Sequence, residues 1–227
     1  MARTAAYDEI AEWYEEEFLA GSRPGDPIGV DRALRDLLGT GEGVCLEIGC
    51  GTGVHADTVR RLGWTPTGVD LSAGMLRYAA ERLPVARADA ERLPVRDNSA
   101  SAVIAVMVHT DMPAYPAVVR EAARVLRPGG AYVHVGVHPC FCGGFADRSD
   151  PDGVMIRPGY LDSHWTTASW TDQGLRDKVG ADHWSLPDLL HMFPRAGLTL
   201  DRFAEGGVPT PTVLAVRARK PASRQPA

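Results

Sequence analysis

A chain of 227 residues is long enough for one domain with a sizeable core and an insertion. With 44% hydrophobic and 23% charged residues it has an ordinary soluble globular composition, and a net charge of -5 offers no footprint for nucleic acid or acidic membranes. The N-terminus lacks the apolar core of a signal peptide, no apolar run approaches the roughly 18 residues of a membrane span, and four cysteines make no disulfide framework, so the expected compartment is the cytoplasm.

Residues 4 to 20 read as a helix: Thr4 can cap it, Asp8 and Glu9 suit its first turns, and Ile10, Trp13, Tyr14 and Phe18 form one apolar stripe. "GSRPGDP" (21–27) breaks it, and "DRALRDLLG" gives a second short helix. An alternation follows: strand Val44 to Ile48, helix Val54 to Leu62, strand "TPTGVD", helix "SAGMLRYAAERL", short strand "PVARAD", strand "SAVIAVMV", helix "AVVREAARVL", strand "GGAYVHVGV". Strands apolar on both faces, alternating with helices, imply a parallel sheet covered on both sides, an α/β domain. "RPGG" (127–130) is the expected stop between the fourth helix and the fifth strand. Residues 139 to 184, rich in Gly, Pro, Asp and aromatics, read as an inserted lid; a helix over 185–196 and the strands "LTLDRFAE" and "TVLAVRARK" complete the sheet. The expected organisation is a single domain over 1–220, with cap helices in 1–40 and a disordered tail at 221–227.

The stretch "CLEIGCGTG" (45–53) puts an acid at the end of a strand and glycines at 49, 51 and 53. Glycines let a ligand lie against the backbone, and a helix N-terminus favours an anion. A dinucleotide fingerprint needs glycine at 54, where valine stands, and the phosphate loop ending in Gly-Lys-Ser/Thr is absent. Glu47 would repel a pyrophosphate but attract an ammonium, so a ligand with an amino-acid end fits better than NAD. Asp70 ends the second strand about twenty residues on, where an acid accepts ribose hydroxyls. Asp89 ends the third and can accept from the exocyclic amine of a base. Amino acid, ribose and base together make S-adenosylmethionine.

"VCLEIGCGTG", "VDLSAGML", "ADAERLPVRDNSASAVIAV" and "EAARVLRPGG" resemble the successive motifs of the class I S-adenosylmethionine-dependent methyltransferases, nearest the small-molecule branch called type 11. The resemblance covers residues 40 to 137 closely and "YDEIAEWY" more loosely. It implies a Rossmann-like seven-stranded sheet, mostly parallel with an antiparallel last strand and helices on both faces. It also implies that Gly49, Cys50, Gly51 and Gly53 approach the methionyl end of the cofactor and Glu47 its amino group. Asp70 would hold the ribose, with Leu71 and Met75 beside the adenosine; Asp89 and the Ala90 backbone would read the adenine, and Met107 would line the pocket. Tyr7 and Tyr14 match a helix that closes over the cofactor, although either can equally pack in the core, as can Met75 and Met107.

For the acceptor, strand four ends "VMVHTDM": if the chain stays extended, His109 and Asp111 share a side, and a carboxylate beside an imidazole orients it and raises its basicity. The other reading is a strand-end hydrogen-bonding pair. His138 stands at the mouth of strand five as a third catalytic candidate, while His134, in mid-strand, suits a satisfied core histidine; His55 reads as a surface or packing residue. "HPCFC" lacks the C-x-x-C pairing of a zinc site, so no metal is expected. Phe141, Phe145, Tyr160, Trp165, Trp170 and Trp184 in the lid either wall an acceptor pocket or give the lid its own core, with His164 and His183 as further contacts. The signature for planar amide or base nitrogens is missing after strand four. The expected activity is therefore methyl transfer from S-adenosylmethionine, released as S-adenosylhomocysteine, to an O, N or C atom of a small molecule in biosynthesis, by a monomer or homodimer. The alternatives are a cofactor-binding protein without transfer and a fold relative catalysing another reaction such as cyclisation.

Overall fold

The computed structural model describes residues 5–21, 26, 29–167 and 174–222. Seven strands form the sheet: β1 (Val44–Ile48), β2 (Thr65–Asp70), β3 (Val85–Arg87), β4 (Ala100–Val106), β5 (Leu126–Val137), β6 (Thr199–Gly206) and β7 (Val213–Arg219). Their order is β6-β7-β5-β4-β1-β2-β3. The pairs β1–β2, β1–β4, β2–β3 and β4–β5 are parallel, whereas β7 runs antiparallel to both β5 and β6. The strand order reverses between β1 and β4, so the carboxyl ends of these two strands flank the switch point where an open α/β sheet binds its ligand.

Side-chain alternation divides the core in two. On one face Leu46, Ile48, Val103, Ala105, Tyr132 and Leu214 meet helix α5 (Tyr115–Val125) and helix α7 (Leu186–Arg195). On the other, Cys45, Ala102, Ile104, Val106, Val133 and Val135 meet helix α2 (Val30–Leu38) and Val59 of helix α3 (Ala56–Arg61). Buried side chains such as Leu34, Leu37, Val118 and Phe193 contribute about 1.5–3 kcal/mol each to keep these layers closed. Helix α4 (Ala73–Ala79) is shorter than its apolar pattern, and its cap is Ser72, whose hydroxyl accepts from the Met75 N–H at 3.1 Å.

Two elements depart from expectation, and the insertion shows its own short elements. "RPGG" does not separate helix from strand: α5 runs directly into β5, and residues 127–130 bulge out between the pairs Ala100–Leu126 and Ala102–Ala131. The N-terminal segment is a short 3₁₀ turn (Ala6–Asp8) followed by helix α1 (residues 11–21), which contains a π turn at Tyr14–Phe18; Thr4 lies outside the described residues. The insertion has two short antiparallel ribbons, Ala146–Asp147 with Met155–Ile156 and Trp165–Thr166 with Ala181–Asp182, and helix α6 (Leu175–Val179). Of the tail, residues 223–227 fall outside the described residues.

Candidate functional site

After β1 the chain turns on Gly49, Gly51 and Gly53, with φ of 67°, 53° and 81°. These are left-handed values that side chains with a Cβ adopt at a cost. Space also excludes a side chain at two of them, since a Cβ on Gly49 would stand 2.8 Å from Val108 Cγ1 and one on Gly53 2.6 Å from Leu83 Cδ2. At Gly51 the nearest atom is Met75 Cε, 3.4 Å away. Asp70, at the end of β2, holds this turn in place: its Oδ2 accepts from the Gly51 N–H at 2.9 Å and its Oδ1 from the Ser72 N–H at 2.8 Å. The Leu71 amide adds to the hydrogen bonding of this carboxylate at the carboxyl end of β2. Burial pushes the Asp70 carboxyl up, against the pull of those amides.

Glu47 is 2% exposed and its Oε2 has no hydrogen-bond partner. Burial, with the Asp70 charge adding to it, pushes this carboxyl up to about 8. A buried acid with a free oxygen beside a backbone cradle requires a donor, and a cationic donor satisfies it best. Cys50 is buried in the same turn, and its thiol is raised by burial and by Glu47.

The remaining candidates for the cofactor ring this cradle or pack behind it. Leu71 is half-buried, and its carbonyl accepts from Arg87 Nε at 2.9 Å. Met75 is buried on α4. Asp89 is half-buried, with Oδ1 accepting from the Glu91 N–H at 2.9 Å, and Ala90 packs against the larger core. Met107 follows β4 directly at φ 58°, half-buried against the second core layer. Tyr14 stacks on Phe18 with centroids 4.9 Å apart and meets the Tyr7 ring edge-on at 5.8 Å. Burial, chiefly, raises its hydroxyl to about 12.

The N-terminal segment is fastened to this turn at three points. Asp8 Oδ1 accepts from Ser72 Oγ at 2.7 Å and from the Gly74 N–H at 2.9 Å. Arg82 pairs with Glu15 and donates to the Thr52 carbonyl at 2.7 Å. Tyr7 donates to Asp111 Oδ1 at 3.2 Å, the same oxygen that pairs with Arg176 of α6. Sequence reasoning missed Arg176: one arginine in a polar inserted segment carries no signal of burial, yet here its side chain is 7% exposed.

At the end of β4 the extended geometry fails. The positive φ of Met107 turns the chain, and His109–Asp111 form a 3₁₀ turn. His109 and Asp111 are therefore not coupled: Asp111 faces Tyr7 and Arg176, while His109 Nδ1 is buried without a partner and its ring lies against His134, centroids 4.9 Å apart. His138 is likewise turned aside. Its Nδ1 accepts from the Cys140 N–H at 3.1 Å, so its proton is on Nε2, which donates to Glu205 of β6 at 2.8 Å. Cys140 Sγ lies 3.6 Å from the Tyr160 hydroxyl and Cys142 Sγ points to the Thr212 carbonyl, so "HPCFC" is spent on structural contacts. Among the described residues no three His, Cys, Asp or Glu side chains gather as a metal site.

Between the carboxyl ends of β4 and β5 and the insertion runs a narrow cleft whose interior volume, about 10 Å³, has room for about one water molecule, lined by His109, Thr110, Val137, Phe145, His183 and Trp184 among others. Thr110 Oγ1 and Trp184 Nε1 are buried there without partners. His183 donates from Nε2 to the Tyr160 carbonyl at 2.7 Å, and burial lowers its basicity. The exposed His164 reaches the rim. Phe141 stacks on His138 instead, Tyr160 packs behind His183, and Trp165 is 49% exposed over Gly180. Trp170 lies outside the described residues.

Residues 46–134 match the family model described as "Methyltransferase domain", type 11. A demethylmenaquinone methyltransferase of Mycolicibacterium paratuberculosis is 38% identical over 112 residues, 47% of this chain and 49% of that protein. The chain spans about half the length, or less, of the curated relatives it matches. The fold is that of an S-adenosylmethionine-dependent methyltransferase from Mesorhizobium loti, with TM-score 0.67 and 22% identity over 83% of this chain and 95% of that one. It is equally that of the [4+2]-cyclase SpnF, with TM-score 0.70 and 19% identity over 98% of both chains. With the motif strand, the glycine turn and Asp70 in one register under this strand order, residues 46–134 carry the match to a type 11 methyltransferase domain, within a fold shared with S-adenosylmethionine-dependent methyltransferases.

Proposed function

We propose that the chain binds S-adenosylmethionine at the turn after β1 and transfers its methyl group to an O, N or C atom of a small molecule held in the cleft under residues 139–184. The observation that carries this reading is a buried, unpartnered Glu47 oxygen beside a glycine turn that is braced by the Asp70 carboxylate at the end of the next strand. These residues fit the cofactor's ends. Glu47 suits the ammonium, the amides of 49–53 the methionyl chain, and Asp70 the ribose; Leu71, Met75, Asp89, Ala90, Met107 and Tyr14 would enclose the adenosine. The bound cofactor supplies an already activated methyl group on a sulfonium. The protein's part is to align an acceptor and exclude water, which the N-terminal segment does by closing with Tyr7 and Asp8 onto both sites.

In this reading residues 1–220 are one domain, with 1–40 as cap and 139–184 as lid, working in the cytoplasm as monomer or homodimer on a biosynthetic substrate. The four thiols are free, which suits a reducing compartment. Calorimetry with S-adenosylhomocysteine and NAD tests the cofactor: tight binding of the first and none of the second is expected, and comparable NAD binding overturns it. Mass spectrometry of candidate metabolites tests transfer by the gain of one methyl group. A second reading, another reaction such as cyclisation on the same site, has one observation in its favour: His109 and Asp111 are not coupled as a base and its orienting acid. A product of unchanged mass would select it.

A further inference from the structure

Between α5 and α7, on the outer side of the sheet, runs a second groove. Its interior volume is about 200 Å³, against about 10 Å³ in the cleft. Pro116 and Arg120 of α5 line one side, Asp188, Met192 and Arg195 of α7 the other, and Trp184, just before α7, completes the lining. The spacing is helical on both sides: Pro116 and Arg120 stand four apart, and Asp188, Met192 and Arg195 four and three apart. The adjoining stripes, Val118, Val119 and Ala122 on α5 and Leu189 and Phe193 on α7, are buried in the core. The groove thus has an apolar floor, with Met192 5% exposed, and a rim of exposed Arg120, Arg195 and Asp188.

The rim leaves its cations unpaired. Asp188 stands in the first turn of α7, where the helix dipole favours a carboxylate, and its Oδ2 accepts from Ser185 Oγ at 2.7 Å. Arg120 and Arg195 have no ion-paired or hydrogen-bonded partner among the described residues. The sequence explains why. Three and four positions either side of Arg120 stand Pro116, Ala117, Ala123 and Arg124; around Arg195 they are His191, Met192, Leu198 and Thr199. No acid occupies a place where a helix pairs its side chains. Glu121, the one acid in α5, is held by Arg124. Asp188 lies seven residues before Arg195, about 10 Å along the helix. Because β5 and β6 both run antiparallel to β7, the helices that lead into them run in the same sense. Pro116 therefore lies at the Asp188 end of the groove and Arg120 towards Arg195.

We propose that this groove is a binding site for a small organic anion, its oxyanion held by Arg120 and Arg195 and its apolar body laid over Met192 and Trp184. A guanidinium presents parallel N–H donors that match a carboxylate or a phosphate, and a chain of net charge -5 offers two of them here without a counter-ion. The floor selects for the body, since a bare inorganic ion leaves the Met192 side chain and the indole uncovered. The volume falls below the roughly 300 Å³ at which sites for drug-sized ligands begin, which limits that body to one ring or a short chain. The ligand class is an aromatic or short acyl carboxylate, or the corresponding phosphate ester. Trp184 also lines the cleft, so its indole is a wall common to both spaces. The proposal does not rest on the methyltransferase reading.

The test is calorimetry and nuclear magnetic resonance on the full-length protein with benzoate, phenyl phosphate, inorganic phosphate and benzyl alcohol. Benzoate or phenyl phosphate is expected to bind and to shift the Trp184 indole N–H signal, which Trp184→Phe assigns among the five tryptophans. The tighter of the two identifies the oxyanion as carboxylate or phosphate. Inorganic phosphate and benzyl alcohol each carry half of the ligand and should bind about tenfold or more weakly. Arg120→Gln and Arg195→Gln alter exposed side chains and should fold; each should weaken binding about 10- to 100-fold, the range for hydrogen bonds to a charged group. Added salt should weaken binding to the wild type, and saturating S-adenosylhomocysteine should leave it unchanged. Absence of binding by both aromatic anions overturns the proposal, as does binding that survives both substitutions or that inorganic phosphate matches. Displacement by S-adenosylhomocysteine puts the anion at the glycine turn and overturns it too. Failure of S-adenosylhomocysteine to bind sinks the methyltransferase reading and leaves the groove standing.

Discussion

Cofactor binding should release a proton from Glu47. Burial and the neighbouring Asp70 raise this carboxyl to about 8 in the free protein, against an ordinary 4.5. One unit below that value, at pH 7, about nine in ten molecules carry the proton, and ionising them costs about 1.4 kcal/mol. An ammonium arriving beside Glu47 stabilises the ionised form, so binding at pH 7 should release about 0.9 proton. Affinity should rise by nearly tenfold from pH 6 to 7 and level off above 8. The free protein should behave in the complementary way. A carboxyl raised on folding contributes stability that is complete below the ordinary carboxylate range and is lost as pH climbs towards 8. The cofactor's own ammonium also titrates in alkaline solution, so the assay compares Glu47→Gln with wild type, in which that contribution is common. Calorimetry with S-adenosylhomocysteine in buffers of different ionisation enthalpy gives the proton count directly. Equal proton release from both proteins would refute the placement of an ammonium at Glu47.

Asp70→Ala should weaken S-adenosylhomocysteine binding by about 1.5–3 kcal/mol, the range for hydrogen bonds to a charged group, with calorimetry as the measure. Arg176→Ala, which strands a buried Asp111 with Tyr7 alone, should cost about 3–5 kcal/mol in chemical denaturation, and the double variant Arg176→Met/Asp111→Leu should cost less than the single one. Phe145→Ala and Trp184→Ala, which thin the cleft wall, should raise the acceptor KM several-fold while leaving cofactor affinity intact, whereas the half-exposed Trp165→Ala should do neither.

The turn proposed for the cofactor was legible as a structure because its signals are local. An apolar run read β1, glycines at alternate positions read the turn, and an acid at the next strand end read Asp70. The acceptor half depends on contacts made across the fold. His109 and Asp111 share a side only while the backbone stays extended, and no pattern announces that Met107, a residue with a Cβ, takes φ 58° and starts a 3₁₀ turn. His134 was read as a core histidine from its mid-strand place, which accounts for its Nδ1 bond but not for its unpartnered Nε2. Tyr115 and Tyr132 lie 17 residues apart, and only the crossing of α5 over β5 joins their hydroxyls. In the insertion, aromatic content suggested a wall. Phe145, Trp184 and His183 line the cleft, but Trp165 covers a glycine of its own ribbon.

The carboxylate expected to orient a base instead joins the N-terminal segment to the insertion. Tyr7 comes from 104 residues before Asp111 and Arg176 from 65 residues after it, and both reach the same oxygen. The contact is continued outward by Lys178 of α6, whose ammonium sits 4.8 Å from the centre of the Trp13 ring. Opening either segment leaves Asp111 with one partner fewer in a site that offers little water, so the cost of the first opening includes the weakening of the second. The N-terminal segment covers the glycine turn and the insertion covers the cleft. A single anion at the end of β4 thus ties the N-terminal segment to the insertion, because the turn after Met107 points Asp111 away from His109. The same bend lays the His109 ring against His134, so one backbone angle sends the two expected partners into different surroundings.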